Sequence, residues 1–241
     1  MMQKIRSVLF TYIFYLTTLV LFVIMSPTLL LPRKKSLCFP ILWTKLAAFM
    51  VRLFCGIKIN IEGLENLPKD NGYIVASKHQ SALDTMIFHR IVPYTFYVLK
   101  RELMYLPLAG FYFIKTGCIP IDRKGGTKTM RKMLNGVQKR LKEGMNLVIF
   151  PEGTRTAPGA KKPYSPGVAF LYEQCQVPVV PVALNTGYCW PKNKTMKYAG
   201  TVTIRFLKPI EAGLHKRAFM SELYDRIEEA QDVLPDPFKD K

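Results

Sequence analysis

Tyr73-Ile74-Val75-Ala76 is an apolar run that breaks abruptly into the polar cluster Ser77-Lys78-His79-Gln80-Ser81-Ala82-Leu83-Asp84. The same pattern returns where Leu147-Val148-Ile149-Phe150 runs into Pro151-Glu152-Gly153-Thr154-Arg155. Short apolar runs bounded by turn residues read as buried strands. A charged cluster just past such a strand suits the carboxyl edge of an α/β sheet, where ligands bind. The first cluster offers an acid–base pair, His79 and Asp84. The second offers a glycine turn beside a carboxylate and a guanidinium.

The His79–Asp84 spacing constrains the local structure. Five residues apart on one regular helix, the two side chains would diverge by about 140° around the axis. They meet only if His79 lies in a loop and Asp84 in the first turn of the helix that follows. Ser81-Ala82-Leu83-Asp84 has the Ser-x-x-acid form of a capping box, so Ser81 is the expected N-cap. Asp84 is then either a capping residue or the partner of His79, and the spacing alone leaves both open.

Working outward, residues 57–61 alternate apolar and polar side chains as a strand does, and 66–72 form a turn. Residues 82–92 place Leu83, Met86, Ile87 and Ile91 at helical spacing and stop before Pro93. A strand is expected at 96–99, running into Lys100-Arg101-Glu102-Leu103, and another at 117–122. Residues 106–114 form an apolar, aromatic helix or loop facing core or membrane. The helix expected at 127–143 carries Met130, Met133, Leu134, Val137 and Leu141 on one face, with Gly144 as its C-terminal cap. Its basic residues read as a solvated face. After a loop and short helix at 164–175, residues 177–182 read as a buried strand with prolines at its ends or at an unpaired position. A last strand at 202–207 and an amphipathic helix at 216–234 close the chain. This alternation predicts an α/β domain over 57–241, a mixed and largely parallel sheet flanked by helices.

Residues 1–56 differ in kind. Ser7 to Leu31 is 25 residues without a charge, long enough to cross a hydrocarbon core of about 30 Å. No small-residue cleavage site follows, so the run reads as a membrane-anchoring helical segment rather than a signal peptide. Lys4 and Arg6 precede it and Arg33, Lys34 and Lys35 follow it, so the positive-inside rule does not choose an orientation. A one-leaflet hairpin, helped by Pro27 and Pro32, fits as well as a span. Residues 37–56 read as an interfacial amphipathic helix with Lys45 and Arg52 snorkelling to head groups.

The net charge of +18 calls for an anionic partner. Nucleic-acid motifs and aromatic–basic repeats are missing from the sequence, so anionic membrane lipid is the expected partner and nucleic acid is not. Five cysteines, odd in number and without a C-x-x-C pair, fit a reducing compartment rather than a disulfide scaffold. No metal-ligand spacing stands out.

Four blocks together resemble the lysophospholipid and glycerol-phosphate acyltransferase superfamily. They are the H-x-x-x-x-D pair His79 and Asp84, the G-x-x-x-I-D-R set Gly117, Ile121, Asp122 and Arg123, the letter-for-letter F-P-E-G-T-R of residues 150–155, and the proline-bracketed 177–182. Their order and separations also fit, over roughly residues 57–208. The short chain and amphipathic N-terminus are most similar to bacterial members that acylate 1-acyl-glycerol-3-phosphate. Lys78 departs from an asparagine found in many members, and Ser165-Pro166-Gly167 from a more usual basic Lys-x-Gly.

The resemblance implies acyl transfer from acyl-CoA or acyl-acyl carrier protein to the sn-2 hydroxyl of lysophosphatidic acid, giving phosphatidic acid, without a cofactor or metal. It implies an inner-membrane enzyme with its catalytic domain on the cytoplasmic face. An acyltransferase for another lyso-lipid or for glycerol-3-phosphate is a neighbouring reading, and a non-catalytic anionic-lipid module is a distant one. In the preferred reading His79 is the general base, since an imidazole titrates near the working pH, and Asp84 orients it as the carboxylate does in a Ser–His–Asp triad. Arg155 and Lys100 are the candidate phosphate ligands, with Arg123 a weaker one. Glu152 either holds a glycerol hydroxyl or orients Arg155, while Gly153 and Thr154 complete the substrate-binding turn. The 177–182 block reads as core rather than site.

Overall fold

The computed structural model describes residues 1–122 and 126–239. Its centre is a seven-stranded sheet: β1 (Ile57–Glu62), β2 (Ile74–Ser77), β3 (Thr95–Lys100), β4 (Ile119–Ile121), β5 (Asn146–Ile149), β6 (Val179–Leu184) and β7 (Gly200–Phe206). The spatial order is β1-β7-β6-β2-β5-β3-β4. Every neighbouring pair is parallel except β6–β7. The expected α/β class, with a mixed and largely parallel sheet, is what the chain adopts.

Four helices precede or follow the first strands: α1 (Met2–Ile24), α2 (Arg33–Ser36), α3 (Cys38–Met50) and α4 (Ala82–Ile91). The others are α5 (Ala109–Lys115), α6 (Gly126–Lys142), α7 (Pro166–Cys175), α8 (Thr186–Cys189) and α9 (Lys216–Asp232). One sheet face carries α6, α7 and α9. Met133, Val137 and Leu141 of α6 and Phe219, Leu223 and Ile227 of α9 are buried there in one cluster with Ile74, Leu147 and Val179. Apolar side chains at helical spacing thus form the face anticipated for both helices. The other face carries α4 through Ile87 and Phe88, packed on Val75, Val148 and Val182. Alternate residues of one strand point to opposite faces, so Ile74 and Val75 serve the two cores separately.

Pro181 sits inside β6 without breaking it. Its position pairs with Ala76 of β2, while β7 has ended at Phe206 and only the Pro181 carbonyl is engaged on that side, accepting from Leu207 N–H at 2.9 Å. The proline therefore stands where a donor is not needed. Gly144 takes the left-handed conformation, φ 74°, as a helix-terminating residue does.

The N-terminal segment folds back on the domain. Helix α1 and the α3 arm form an antiparallel pair, joined by stacking of Phe22 on Phe39 and by a Trp43 Nε1–H···Thr18 Oγ1 bond of 3.0 Å. A π-helical turn, Val51–Cys55, ends α3 before β1. Phe10, Met50, Val51 and Cys55 pack with Leu83 and Met86 of α4 in a third cluster. Buried Lys197 anchors α1: its ammonium lies about 5 Å from the ring centres of both Phe10 and Trp190. It also donates to Thr11 Oγ1 at 3.0 Å, and burial pulls its pKa below the ordinary lysine value. By length and apolarity two helical segments, Met2–Ile24 and Arg33–Cys55, are long enough to cross a membrane. Lys45 and Arg52 are exposed on the second.

Candidate active site

Strands β2, β3, β5 and β6 run parallel, so their carboxyl ends reach one edge of the sheet. His79 follows β2 there, Lys100 ends β3, Glu152 to Arg155 follow β5, and Thr186 follows β6.

Asp84 enters from the first turn of α4. Ser81 is the N-cap, its hydroxyl accepting from Leu83 N–H at 3.1 Å, and the capping box is complete. The expected loop-plus-helix geometry follows from this cap. Asp84 both caps the helix and meets the histidine: its Oδ2 accepts from Ser81 N–H at 2.8 Å, from Gln80 N–H at 2.6 Å and from His79 Nδ1 at 3.0 Å. Thr186 donates its hydroxyl to the other oxygen, Oδ1. Four donors thus converge on a carboxylate that is 0% exposed, which is what an acceptor-only group needs inside a protein. The helix cap and the partner of the histidine are one side chain.

The imidazole of His79 is clamped by stacking on Phe150, with ring centres 4.0 Å apart and planes 18° from parallel. Because Nδ1–H donates to Asp84, the neutral ring is the tautomer with a bare Nε2 lone pair. Nε2 takes no hydrogen bond among the described residues, and the side chain keeps 14% of its surface open. A base held by a buried carboxylate and open at its far nitrogen can take a proton from a hydroxyl brought to it.

The backbone around His79 is held by the second cluster. Glu152 Oε2 accepts from His79 N–H at 2.9 Å, and His79 O accepts from Thr156 N–H at 2.8 Å. Glu152 Oε1 accepts from Thr156 Oγ1 at 2.8 Å and pairs with Lys78 Nζ at 2.7 Å. The Glu152 side chain is fully buried, with both oxygens committed. Among the described residues Glu152 makes no hydrogen bond or ion pair with Arg155, and its bonds brace the His79 loop from behind. Lys78 is equally buried and pairs also with Glu228 of α9 at 2.9 Å. Burial works against the ammonium, but hydrogen bonds to Glu152 and Glu228 outweigh it and raise the Lys78 pKa above the ordinary value. Tyr164 donates its hydroxyl to Glu228 at 3.0 Å, and burial pushes the Tyr164 pKa well up, so it stays a donor.

Gly153, Thr154 and Arg155 are half-buried on the same loop. Gly153 has φ 65° and nothing within 4 Å of where a Cβ would sit, so its backbone angle rather than crowding favours glycine there. The Arg155 guanidinium has no acidic partner among the described residues; its carbonyl accepts from Lys192 Nζ at 2.9 Å. Lys100 is exposed at the end of β3. Arg123 lies outside the described residues. The neighbouring Asp122 is 3.6 Å from Arg101. A cavity of about 850 Å³ opens between α6, α7 and α9, lined by Met130, Tyr164, Phe170 and Met220. It lies on the sheet face opposite α4.

Sequence reasoning missed three members. Thr186 carries the same signal as His79, a polar residue just past a buried strand, but it follows the 177–182 block, whose pattern is that of core. That block is indeed buried at Val179, Val180 and Val182. Phe150 ends an apolar run and opens the 150–155 block, and nothing local marks it as the ring beneath the histidine. Glu228 carried no local signal at all, because it lies 150 residues from Lys78.

The model of the acyltransferase family matches residues 58–185, which is more than half of the chain. The chain belongs to the acyltransferase family. It is 35% identical over 162 residues to the 1-acyl-sn-glycerol-3-phosphate acyltransferase of Pseudomonas aeruginosa, covering 67% of this chain and 63% of that one. It is 30% identical over 187 residues to 1-acyl-sn-glycerol-3-phosphate acyltransferase alpha of Ovis aries, covering 76% and 64%. The match therefore spans just under two thirds of the length of these relatives. Among solved structures, the crystal structure of the 1-acyl-sn-glycerophosphate acyltransferase of Thermotoga maritima superposes with a TM-score of 0.81 at 24% identity. That match covers 96% of this chain and 97% of the other, and it establishes the shared fold.

Proposed function

We propose that this acyltransferase moves a fatty acyl group from an acyl thioester, acyl-CoA or acyl-acyl carrier protein, to the sn-2 hydroxyl of 1-acyl-glycerol-3-phosphate, giving phosphatidic acid. The observation that carries the reading is the buried Asp84 bonded to Nδ1 of a histidine whose Nε2 is open. The names of the relatives supply the acceptor. The substrate hydroxyl stands where serine stands in a Ser–His–Asp triad. Nε2 takes the hydroxyl proton as its oxygen attacks the thioester carbonyl. The tetrahedral intermediate collapses, the C–S bond breaks, and the thiolate leaves with the proton returned by the imidazolium. Asp84 offsets the positive charge while the proton is held. Proton and electron pair balance without a covalent acyl-enzyme, a metal or a cofactor.

Arg155 and Lys100 are assigned to the acceptor phosphate, since a guanidinium pairs with phosphate oxygens in a planar fork. A pure lipid-binding module needs no oriented base, so the His79–Asp84 bond favours the enzyme reading.

The same structure supports a place on the membrane. Ile5, Leu9, Leu16, Leu19, Val23 and Ile24 stand exposed along α1, beyond what scattered apolar surface residues account for. Exposed Tyr105, Leu106, Phe111 and Ile114 adjoin them, because Tyr112 of α5 stacks on Phe39 and donates to Phe22 O at 3.1 Å. A helix bonded to the domain through Gln3, Ser7 and Thr11 along its first half is not free to cross alone. The reading is a helical pair dipping into one leaflet of the inner membrane from the cytoplasmic face, with anionic lipid as the partner of the +18 charge.

Thioester consumption by purified protein, measured with lysophosphatidic acid, glycerol-3-phosphate and lysophosphatidylcholine in turn, tests the reading. Lysophosphatidic acid should be used best. The choline lipid has one negative charge fewer and a bulky cation, and glycerol-3-phosphate gains nothing from delivery by the membrane. Equal rates with the choline lipid would remove the phosphate assignment.

A further inference from the structure

Lys78 stands beside His79 in sequence, yet its side chain is turned into the protein interior. It is 2% exposed, and its ammonium lies 2.7 Å from Glu152 Oε1 and 2.9 Å from Glu228 Oε1. Carboxylate partners this close offset the cost of burying the ammonium. Each partner is tied onward. Glu152 holds His79 N–H at 2.9 Å and Thr156 at 2.8 Å, and Glu228 takes the Tyr164 hydroxyl at 3.0 Å. Glu228 belongs to α9, whose Phe219, Leu223 and Ile227 are locked in the core. A continuous chain of charge-assisted bonds therefore runs from a rigid helix through Glu228, Lys78 and Glu152 to the peptide N–H of His79.

We propose that Lys78 and Glu228 are positioning residues for His79, and that α9 sets the register of the catalytic loop through them. This rests on the reading of His79 as general base. Asp84 and Phe150 fix the orientation of the imidazole ring, and Asp84 holds the loop just after it through Gln80 N–H and Ser81 N–H, while the peptide N–H of His79 itself is held by Glu152. The loop is gripped from behind by Glu152, and among the described residues Glu152 is bonded to α9 through the ammonium alone. A misplacement of about 1 Å costs a reaction of this kind about a hundredfold, so the rear tether has a kinetic value that its distance from substrate conceals.

The test separates a tether from a mere charge balance. Lys78→Met leaves two buried carboxylates without their cation and can fail to fold, so the deciding variant is the full-length double substitution Lys78→Met/Glu228→Gln. It removes one positive and one negative charge, keeps the net charge of the cluster, and cuts the link. Folding is checked by thermal unfolding. Tethering predicts a folded protein with kcat down about 10–100-fold, unchanged acceptor KM, and a shifted or broadened low-field NMR resonance of the His79 Nδ1–H bonded to Asp84. Charge balance alone predicts kcat and that resonance both as in the wild type, which overturns the proposal. The resonance is read without substrate, so it judges the tether even if His79→Ala shows that the acyl-transfer reading is wrong.

Discussion

Asp84→Asn separates the capping role of this carboxylate from the catalytic role proposed for it. The amide is isosteric, and its carbonyl oxygen placed at Oδ2 still accepts from His79 Nδ1, Gln80 N–H and Ser81 N–H. The amide nitrogen then faces Thr186, whose hydroxyl can turn to accept. What disappears is the charge. At a helix N-terminus that charge is worth about 0.3–1 kcal/mol, rising to about 2 kcal/mol when partly buried. A chain of this size should therefore lose about 1–8 °C in Tm. The imidazolium formed in the proposed transfer loses far more, because the buried counter-charge in direct contact with it is gone. Replacement of the triad carboxylate by its amide costs about 10⁴-fold elsewhere, and general-base catalysis as a whole is worth about 10²–10⁴-fold. The expected loss in kcat/KM is thus about 10²–10⁴-fold, or about 3–5 kcal/mol, well beyond the loss in stability. Ser81→Ala is the control: it removes the Leu83 N–H bond at 3.1 Å, costs about 1 kcal/mol as a lost cap, and should leave the rate alone. Initial rates of thioester consumption beside thermal unfolding curves give both numbers. If Asp84→Asn behaves like Ser81→Ala, with a small drop in Tm and a near-normal rate, Asp84 is a cap and nothing more.

His79→Ala should lower turnover about 10²–10⁴-fold without unfolding the protein, and retention of more than a tenth of wild-type activity in the same assay rejects the mechanism. Arg155→Ala should weaken use of the acceptor by about 1.5–3 kcal/mol, with the KM for the thioester nearly unchanged; a defect confined to the donor would reassign the residue. Removing residues 1–56 uncovers Leu83, Met86 and Val202, which pack against Phe10 and Met50, so the truncated protein should aggregate or require detergent, and a soluble monomer by sedimentation contradicts that packing. His89, edge-on to Tyr97, has its pKa lowered by burial to about 4. Its neutral form therefore stabilises the fold fully above the unfolded value near pH 6.5, and this is lost as pH falls toward 4. The upper limit is about 3 kcal/mol. Equilibrium unfolding between pH 7 and 4 should show this slope, and His89→Phe should flatten it.

The sequence by itself determined whatever rests on local pattern. Apolar runs broken by polar clusters placed β2 and β5. The 3.6-residue period placed α4, α6 and α9, and Ser81 with Asp84 announced a cap whose geometry turns the aspartate toward His79. Such features are decided within a few residues of chain, so a linear reading reaches them. Only the tertiary structure decided which side of the site each charge serves. Glu152 and Arg155 are three residues apart on one loop, yet one is buried behind the histidine and the other half-open beside it. Nothing in the six-residue motif distinguishes them, because the difference lies in what packs against each. The ammonium that occupies Glu152 comes from Lys78, and Lys78 is held in turn by Glu228, a residue from the far end of the chain. Thr186 reaches Asp84 because the sheet order sets β6 beside β2. Desolvation and long-range pairing depend on the whole packed core, and a carboxylate's role depends on whether water or a lysine reaches it.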